Sequence, residues 1–145
     1  MISIGCDHGG FELKKVLMNF LTEKGFEFTD EGTYDTNSVD YPDIAKKVCT
    51  KVQKGEAEFG ILVCGTGIGM NICANKYKGI RAAQCSDTFS AKMTRRHNNT
   101  NVITMGGRVI GPELAKEIVF EFLTNEFEGG RHQARVDKIM EVENY

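Results

Sequence analysis

The sequence has no tryptophan, only two prolines, and no large excess of charge of either sign. Eighteen basic and twenty acidic side chains leave a net charge of −2. A nucleic-acid-binding protein normally carries a basic excess, and a membrane-surface helix carries a lysine-rich face. No apolar run reaches the roughly 18–20 residues of a transmembrane helix, and residues 1–5 lack the features of a signal peptide. We therefore expect a cytoplasmic protein with no nucleic-acid and no membrane partner.

Cysteine is present, but not in a pattern that predicts cross-links. The chain has five cysteines, an odd number, and no CxxC pair. This usage indicates a reducing compartment, no disulfide framework and no structural metal site. The length of 145 residues and the apolar fraction of 41% suit one domain over residues 1–145 with its own core.

Short apolar runs alternate with segments of helical periodicity along the whole chain. Strands are predicted at 1–6, 26–29, 59–64, 80–85 and 101–105, and helices at 11–24, 42–54, up to 75, 87–96, 112–123 and from 130. The run 59–64 is continuously apolar, which is typical of a strand buried on both faces. The alternation predicts an α/β fold: a three-layer α/β/α sandwich around a five-stranded parallel sheet, Rossmann-like in type.

In such sheets, ligands bind at the carboxyl ends of the strands. One of these ends carries a glycine loop, with Gly65, Gly67 and Gly69 between a strand and a helix. Its backbone N–H groups and the helix dipole favour an anion. Three known phosphate-binding motifs are excluded. Met70 stands where a dinucleotide-binding motif needs glycine, and the same position would be arginine in a cysteine-phosphatase loop. The chain also has no Walker sequence. A turn for tight strand–helix packing remains the alternative.

Cys64 ends the buried strand at the mouth of the following helix. The helix dipole favours a thiolate at this position, and a thiolate can act as a nucleophile or a general base. The other four cysteines lie within apolar or mid-element runs, where cysteine is usually a small core hydrophobe.

Histidine is scarce, and two of the three histidines lie near loops that follow or precede strands. His8 follows Asp7, an acid placed to orient it, although a buried structural histidine is the alternative. His97 ends a predicted helix, where it can also simply complement the dipole. His132 has no distinctive context and is expected to be solvated.

Three arginines suit a phosphate group. Arg108 follows a strand, and Arg131 and Arg135 are spaced i, i+4, on one helix face. Guanidinium groups bind phosphate oxygens bidentately, whereas a solvated charged helix is the alternative for the pair. Together with the thiolate, the histidines and the N–H-rich loop, they predict a phosphorylated, carbonyl-bearing small molecule as the ligand.

Six segments in order resemble the type B ribose-5-phosphate isomerases, a family shared with galactose-6-phosphate isomerase subunits. The resemblance covers nearly the whole chain. The segments are 5–10 (GCDHGG), 40–43 (DYPD), 64–70 (CGTGIGM), 96–98 (RHN), 106–108 (GGR) and 131–135 (RHQAR). One branch of the family carries a glutamate base at the position of Met70, so Cys64 and Met70 place this chain in the cysteine branch.

The resemblance implies a role for each matching residue. Cys64 would be the base that moves a proton between C2 and C1 of the open-chain sugar through a cis-enediolate. His97 would open the furanose ring with help from Asp7. Thr66 and the backbone N–H groups of the loop would form the anion hole. The loop residues so implied are Gly65, Gly67, Ile68 and Gly69.

The same resemblance implies the substrate contacts. Asn98 would bind a sugar hydroxyl, and Tyr41 would line the pocket. The phosphate would be bound by His8, Arg108, Arg131 and Arg135. No metal and no cofactor is implied.

The implied activity is interconversion of ribose 5-phosphate and ribulose 5-phosphate in the pentose phosphate pathway. The full residue set on one chain favours a homo-oligomeric pentose-phosphate enzyme. The resemblance implies a homodimer or a dimer of dimers, with sites shared between chains and the C-terminal helix extending to the partner subunit. Two alternatives stay open: a hexose-6-phosphate isomerase acting on allose or galactose 6-phosphate, and a non-catalytic sugar-phosphate-binding module.

Overall fold

The computed structural model describes all 145 residues, and its strands lie where the apolar runs predict them. All five strands are parallel, in the order β2-β1-β3-β5-β4. The strands are β1 (Ile2–Cys6), β2 (Phe28–Asp30), β3 (Phe59–Cys64), β4 (Ala82–Gln84) and β5 (Val102–Gly106). The helices are α1 (Phe11–Glu23), α2 (Tyr41–Gln53), α3 (Ile68–Ala74), α4 (Thr88–Asn98), α5 (Pro112–Thr124) and α6 (Arg131–Glu141).

The three central strands are buried, whereas the two edge strands are partly exposed. Helices cover both faces of the sheet, which explains the continuous apolar runs in the centre. One core lies between the sheet and α1, α4 and α5, and the second, smaller core lies between the sheet and α2 and α3. The predicted three-layer α/β/α sandwich is confirmed.

Edge strand β4 is shorter than the predicted strand 80–85. At its start, the backbone N–H of Arg81 donates to the side-chain Oδ1 of Asn101 at 2.9 Å, so this N–H is lost to the sheet ladder. Arg81 joins β5 through its carbonyl oxygen alone, which accepts from the Asn101 and Val102 N–H groups at 3.0 and 3.3 Å.

The connections that leave β1 and β3 go to opposite faces of the sheet. These strands are neighbours, and α1 follows β1 on one face while α3 follows β3 on the other. A crevice opens at the carboxyl ends of two adjacent strands where their connections diverge in this way. The fold therefore places its ligand crevice beside residues 64–69, which we call the Cys64 loop.

Helix α6 lies near the amino ends of the strands, away from the crevice at their carboxyl ends. Its His132 and Val136 are buried, and Met140 Sδ lies 3.5 Å from Arg81 Nη1, close to the start of β4. The following turn is tied to the chain by Glu143, whose Oε1 accepts from the Gly79 N–H at 2.7 Å. Extension of this helix to a partner subunit stays a prediction. None of the six helices is both long and apolar enough to cross a membrane.

Helix α1 buries one residue that its apolar periodicity does not predict. Lys14 is completely buried. Its Nζ lies 2.6 Å from Asp30 Oδ1 and donates to the Thr33 carbonyl oxygen at 2.6 Å. Burying a charge is tolerated only when it is paired and hydrogen-bonded, so this lysine fixes the start of the long loop between β2 and α2.

Candidate active site

Three loops meet at the carboxyl ends of β1, β3 and β5, and backbone hydrogen bonds lock them together. Asp7 N–H donates to the Val63 carbonyl oxygen at 3.1 Å, and Gly107 N–H donates to that of Cys64 at 2.8 Å. Arg108 N–H donates to the Gly65 carbonyl oxygen at 3.1 Å. The Cys64 loop is therefore held from both sides by its neighbours, which gives the site a rigid frame.

Two glycines of the loop are required by packing. Gly67 has a φ of +84°, and a Cβ there would lie 2.8 Å from the backbone carbon of Met105. A Cβ on Gly69 would lie 2.7 Å from the Tyr41 ring. Positive φ and such close approaches suit glycine alone. The glycines therefore do serve tight packing, which the sequence left as an alternative. The absence of a side chain on Gly69 also allows Tyr41, the first residue of α2, to pack against the loop.

Cys64 is nearly buried, with 5% of its surface exposed. Its Sγ accepts a hydrogen bond from the Gly67 N–H at 3.1 Å. This donor holds the sulfur at the mouth of α3, since Gly67 directly precedes that helix. Cys64 is thus the one cysteine whose sulfur lies in the loop at the crevice.

The Cys64 loop also offers unpaired donors. The amide N–H groups of Gly65, Thr66 and Gly69 donate to no acceptor within the chain, whereas that of Ile68 donates to Thr66 Oγ1 at 3.2 Å. Backbone donors of this kind, fixed in direction, bind oxyanions without having to reorganise. The predicted anion-binding character of the loop has this physical basis.

Asp7 and His8 lie next to the loop, in the short 3₁₀ turn His8–Gly10. Asp7 is buried, and its Oδ1 accepts from the Gly9 N–H at 2.9 Å. His8 Nδ1 accepts from the Val39 N–H at 3.3 Å. An acceptor at Nδ1 means that a neutral ring carries its proton on Nε2, so His8 is set as a donor and ties the long loop to the site.

Arg108 is exposed and lies over Gly65, since a Cβ on Gly65 would be 3.4 Å from Arg108 Nη1. The structure therefore brings one group of predicted site residues together in one crevice. This first group consists of Asp7, His8, Tyr41, Cys64, Gly65, Thr66, Gly67, Ile68, Gly69 and Arg108.

The remaining cysteines behave as core residues. Burial raises the pKa of Cys6 and Cys85 to about 11 and that of Cys49 to about 12. Burial also raises the pKa of Cys73, which is partly exposed. All four stay as thiols near neutral pH, so the prediction that they are small core hydrophobes is confirmed, and no two cysteines are bonded to each other.

A second group of predicted residues gathers around His97, at the end of α4. The rings of His97 and His132 are stacked, with centroids 4.1 Å apart and an angle of 12° between the planes. Glu128 Oε1 lies 3.6 Å from the Nε2 of each histidine. Asn98, Arg131 and Arg135 are exposed beside this pair. We call His97, Glu128 and His132 the histidine cluster.

The histidine cluster is far from Cys64 within one chain. Arg95, on the same helix end as His97, stacks on the ring of Phe59 at 4.8 Å, and Phe59 is the first residue of β3 whereas Cys64 is its last. A strand rises about 3.3 Å per residue, so the two ends of β3 are about 16 Å apart. The structure does not bring His97, Asn98, Arg131 and Arg135 to the crevice of their own chain.

The histidine cluster is also the one set of side chains spaced to hold a metal ion, with its three ligand atoms within 4.8 Å of one another. Its orientation does not suit an ion. Nearly parallel rings direct their in-plane lone pairs along parallel lines, not toward one point, and Arg96 Nε already binds Glu128 Oε2 at 2.6 Å. The cluster is better described as two stacked histidines that face a carboxylate paired with Arg96.

Sequence reasoning missed Glu128 and expected His132 to be solvated. His132 is instead buried, with 7% of its surface exposed. Burial lowers its pKa, and the nearby His97, Arg131 and Arg135 lower it further. No local signal predicted the contact, because Glu128 precedes α6 and reaches His132 through the turn at Gly129 and Gly130, both of which have positive φ.

Comparison with known proteins identifies the family of this chain. The Ribose/Galactose Isomerase family matches residues 2–139. The chain belongs to this family. The ribose-5-phosphate isomerase B of Escherichia coli is 50% identical over 142 residues, covering 98% of this chain and 95% of that protein. The D-erythrulose-4-phosphate isomerase of Pectobacterium atrosepticum is 49% identical over 140 residues, covering 95% and 91%.

Solved structures of this isomerase family agree with the fold. The ribose-5-phosphate isomerase B of Clostridium thermocellum superposes with a TM-score of 0.97 at 50% identity, covering 99% of this chain and 97% of that chain. The type B enzyme of Trypanosoma brucei gives 0.94 at 44% identity, covering 97% of each chain. The family resemblance expected from the six sequence segments is confirmed.

Proposed function

We propose that this isomerase interconverts D-ribose 5-phosphate and D-ribulose 5-phosphate through a cis-enediolate, in the pentose phosphate pathway of the cytoplasm. One observation supports the proposal above the others: the Cys64 sulfur accepts the Gly67 N–H beside loop amides that have no acceptor. A base next to unpaired donors is what proton abstraction beside a carbonyl requires. The relatives named above act on phosphorylated four- or five-carbon sugars.

In the proposed reaction, the Cys64 thiolate takes the proton from C2 of the open-chain aldose. The electron pair of the broken C–H bond forms the C1=C2 double bond, and negative charge develops on O1. Thr66 and the free N–H groups of Gly65 and Gly69 stabilise that charge. The O2 hydroxyl proton then passes to O1, which leaves the negative charge on O2. The electron pair on O2 forms the C2=O2 double bond, and the pair of the C1=C2 bond takes the proton from the thiol at C1, which gives the ketose and restores the thiolate, so that no redox partner and no cofactor is needed.

The sugar and its phosphate are positioned by groups farther from the reacting atoms. His8, set as an Nε2–H donor by Val39, and Arg108 bind the phosphate, while Tyr41 forms the wall next to Gly69. Binding energy from the non-reacting phosphate holds the sugar in register for the proton transfer.

In this proposal, the second group of residues comes from another copy of the chain. His97 opens the ring with help from Asp7, Asn98 binds a hydroxyl, and Arg131 and Arg135 complete the phosphate site. Strand β3, about 16 Å long, lies between the two groups within one chain, and this separation supports a homodimer or a dimer of dimers with shared sites. In this arrangement α6 presents its arginines to the partner.

The first experiment is a coupled assay of ribose 5-phosphate isomerisation with purified protein. The Cys64→Ala variant should lose activity, whereas Cys73→Ala, which removes a thiol outside the crevice, should keep wild-type kcat. Near wild-type kcat in Cys64→Ala would refute the base assignment.

The substrate is tested by comparing kcat/KM for ribose 5-phosphate with the values for allose 6-phosphate, galactose 6-phosphate and erythrose 4-phosphate. We expect the pentose phosphate to have the highest value. A higher value for a hexose 6-phosphate would favour the hexose-phosphate alternative. Binding of sugar phosphates with no turnover of any of them would favour the non-catalytic module.

A further inference from the structure

Glu128 lies in the loop before α6 and contacts both helices that carry the histidines, α4 and α6. Its backbone N–H donates to the Arg96 carbonyl oxygen at 2.9 Å, and its Oε2 lies 2.6 Å from Arg96 Nε. These two contacts tie the segment before α6 to the end of α4. The other carboxylate oxygen, Oε1, is thereby directed at the Nε2 atoms of His97 and His132, at 3.6 Å from each.

The chemistry of a carboxylate determines which nitrogen of each ring bears the proton. An ionised carboxylate has no proton to donate, so the field of Oε1 favours an N–H at Nε2 over a lone pair. A neutral His97 ring that keeps its proton on Nε2 has its lone pair on Nδ1. The pairing of a histidine with a carboxylate commonly sets the tautomer and ring orientation in this way.

The stack with His132 restrains the His97 ring in a second way. The planes are 12° apart and the centroids 4.1 Å apart, so rotation of the His97 ring would collide with a neighbour that is itself buried. The charged groups facing this pair are Glu128 from the loop before α6, Arg96 from α4, and Arg131 and Arg135 from α6. Glu128 is the only anion among them.

We propose that Glu128 is a positioning residue that holds His97 as the Nε2-protonated tautomer, with Nδ1 free to accept a proton in ring opening. This inference rests on the proposed function. His97 Nδ1 takes the proton of the O1 hydroxyl, and the electron pair of that O–H bond forms the C1=O1 double bond. The C1–O4 bond breaks with its pair going to O4, and His97 passes the proton to O4.

The decisive variant is Glu128→Gln, which keeps the shape of the side chain. Arg96 Nε can only donate, so it retains the amide oxygen on its own side. The amide NH2 group then takes the place of Oε1 and faces both histidines. An N–H donor at that place favours a lone pair on Nε2, so the substitution should reverse the tautomer of His97.

The tautomer is read from the ring-nitrogen chemical shifts of protein labelled with 15N-histidine, with the His97 signals assigned from the His97→Asn spectrum. We expect Nε2–H in the wild type and Nδ1–H in Glu128→Gln. Glu126→Gln removes the same charge two residues away, at an exposed position, and should leave the wild-type tautomer. An unchanged His97 tautomer in Glu128→Gln would overturn the proposal.

The kinetic test separates positioning from binding. Glu128→Gln should lower kcat for ribose 5-phosphate at least about tenfold, because general acid–base catalysis contributes about 10²–10⁴-fold, while KM changes less than about twofold. Glu126→Gln should keep wild-type kcat. A kcat for Glu128→Gln equal to that of the control would also overturn the proposal. If the wild type itself does not turn over ribose 5-phosphate, the proposed function fails instead, and the tautomer measurement still stands.

Discussion

A chain carrying Cys64→Ala and a chain carrying His97→Asn should restore activity to each other when they share a dimer. Each homodimer lacks one group in both of its sites. In the mixed dimer, one site combines the intact Cys64 of one chain with the intact His97 of the other, whereas the second site lacks both. The prediction follows from the end of α4 that carries His97, because Arg95 of the same helix end stacks on Phe59, at the far end of β3 from Cys64.

The size of the recovery follows from the two-fold symmetry of such a dimer. A purified mixed dimer has one intact site of two and should show about half the wild-type activity per dimer. Random reassembly of equal amounts yields mixed dimers as half of the population, so the mixture should show about a quarter. These values are well above the residual activity expected of either homodimer.

The assay co-expresses the two chains with different affinity tags, purifies the mixed species over both tags, and follows ribose 5-phosphate isomerisation. The control pairs Cys64→Ala with Cys64→Ser, which leaves no intact site in any dimer and should give no recovery. Absence of recovery in the Cys64→Ala and His97→Asn pair would refute the shared site, because a site built within one chain cannot be restored by its partner.

Three further perturbations test other parts of the structure. Arg135→Ala should raise KM for ribose 5-phosphate with little change in kcat, and an unchanged KM would remove this residue from the phosphate site. Lys14→Met should lower the free energy of unfolding by about 1–3 kcal/mol, measured by urea titration, because it leaves the Asp30 carboxylate without its buried partner. Asp87 accepts from a backbone N–H in the first turn of α4, and this hydrogen bond lowers its pKa below the usual 3.8. Its contribution to stability is therefore present above about pH 4 and lost as the pH falls further, so Asp87→Ala should be less stable than wild type at pH 7 and should approach it below pH 4.

The local pattern was enough to predict the elements and the layer order. Continuous apolar runs such as 59–64 are typical of strands covered on both faces, and the alternation with helical periodicity leaves few ways to cover them. The position of the Cys64 loop followed as well, because ligand crevices lie at the carboxyl ends of parallel strands. Local composition did not predict Lys14, whose burial depends on Asp30 and Thr33, residues that reach it only in the folded chain.

The sequence by itself determined the fold class, the crevice loop and the family, because these depend on periodicity and on short segments that keep their order. Only the tertiary structure decided that His97 and Cys64 lie at opposite ends of the strands. Each helix runs antiparallel to the strand before it, so the end of α4 lies near the amino ends of the strands. It also decided that Glu128 faces both histidines. Glu128 and His97 are 31 positions apart in the sequence, and they meet only because the chain before α6 folds back onto the end of α4.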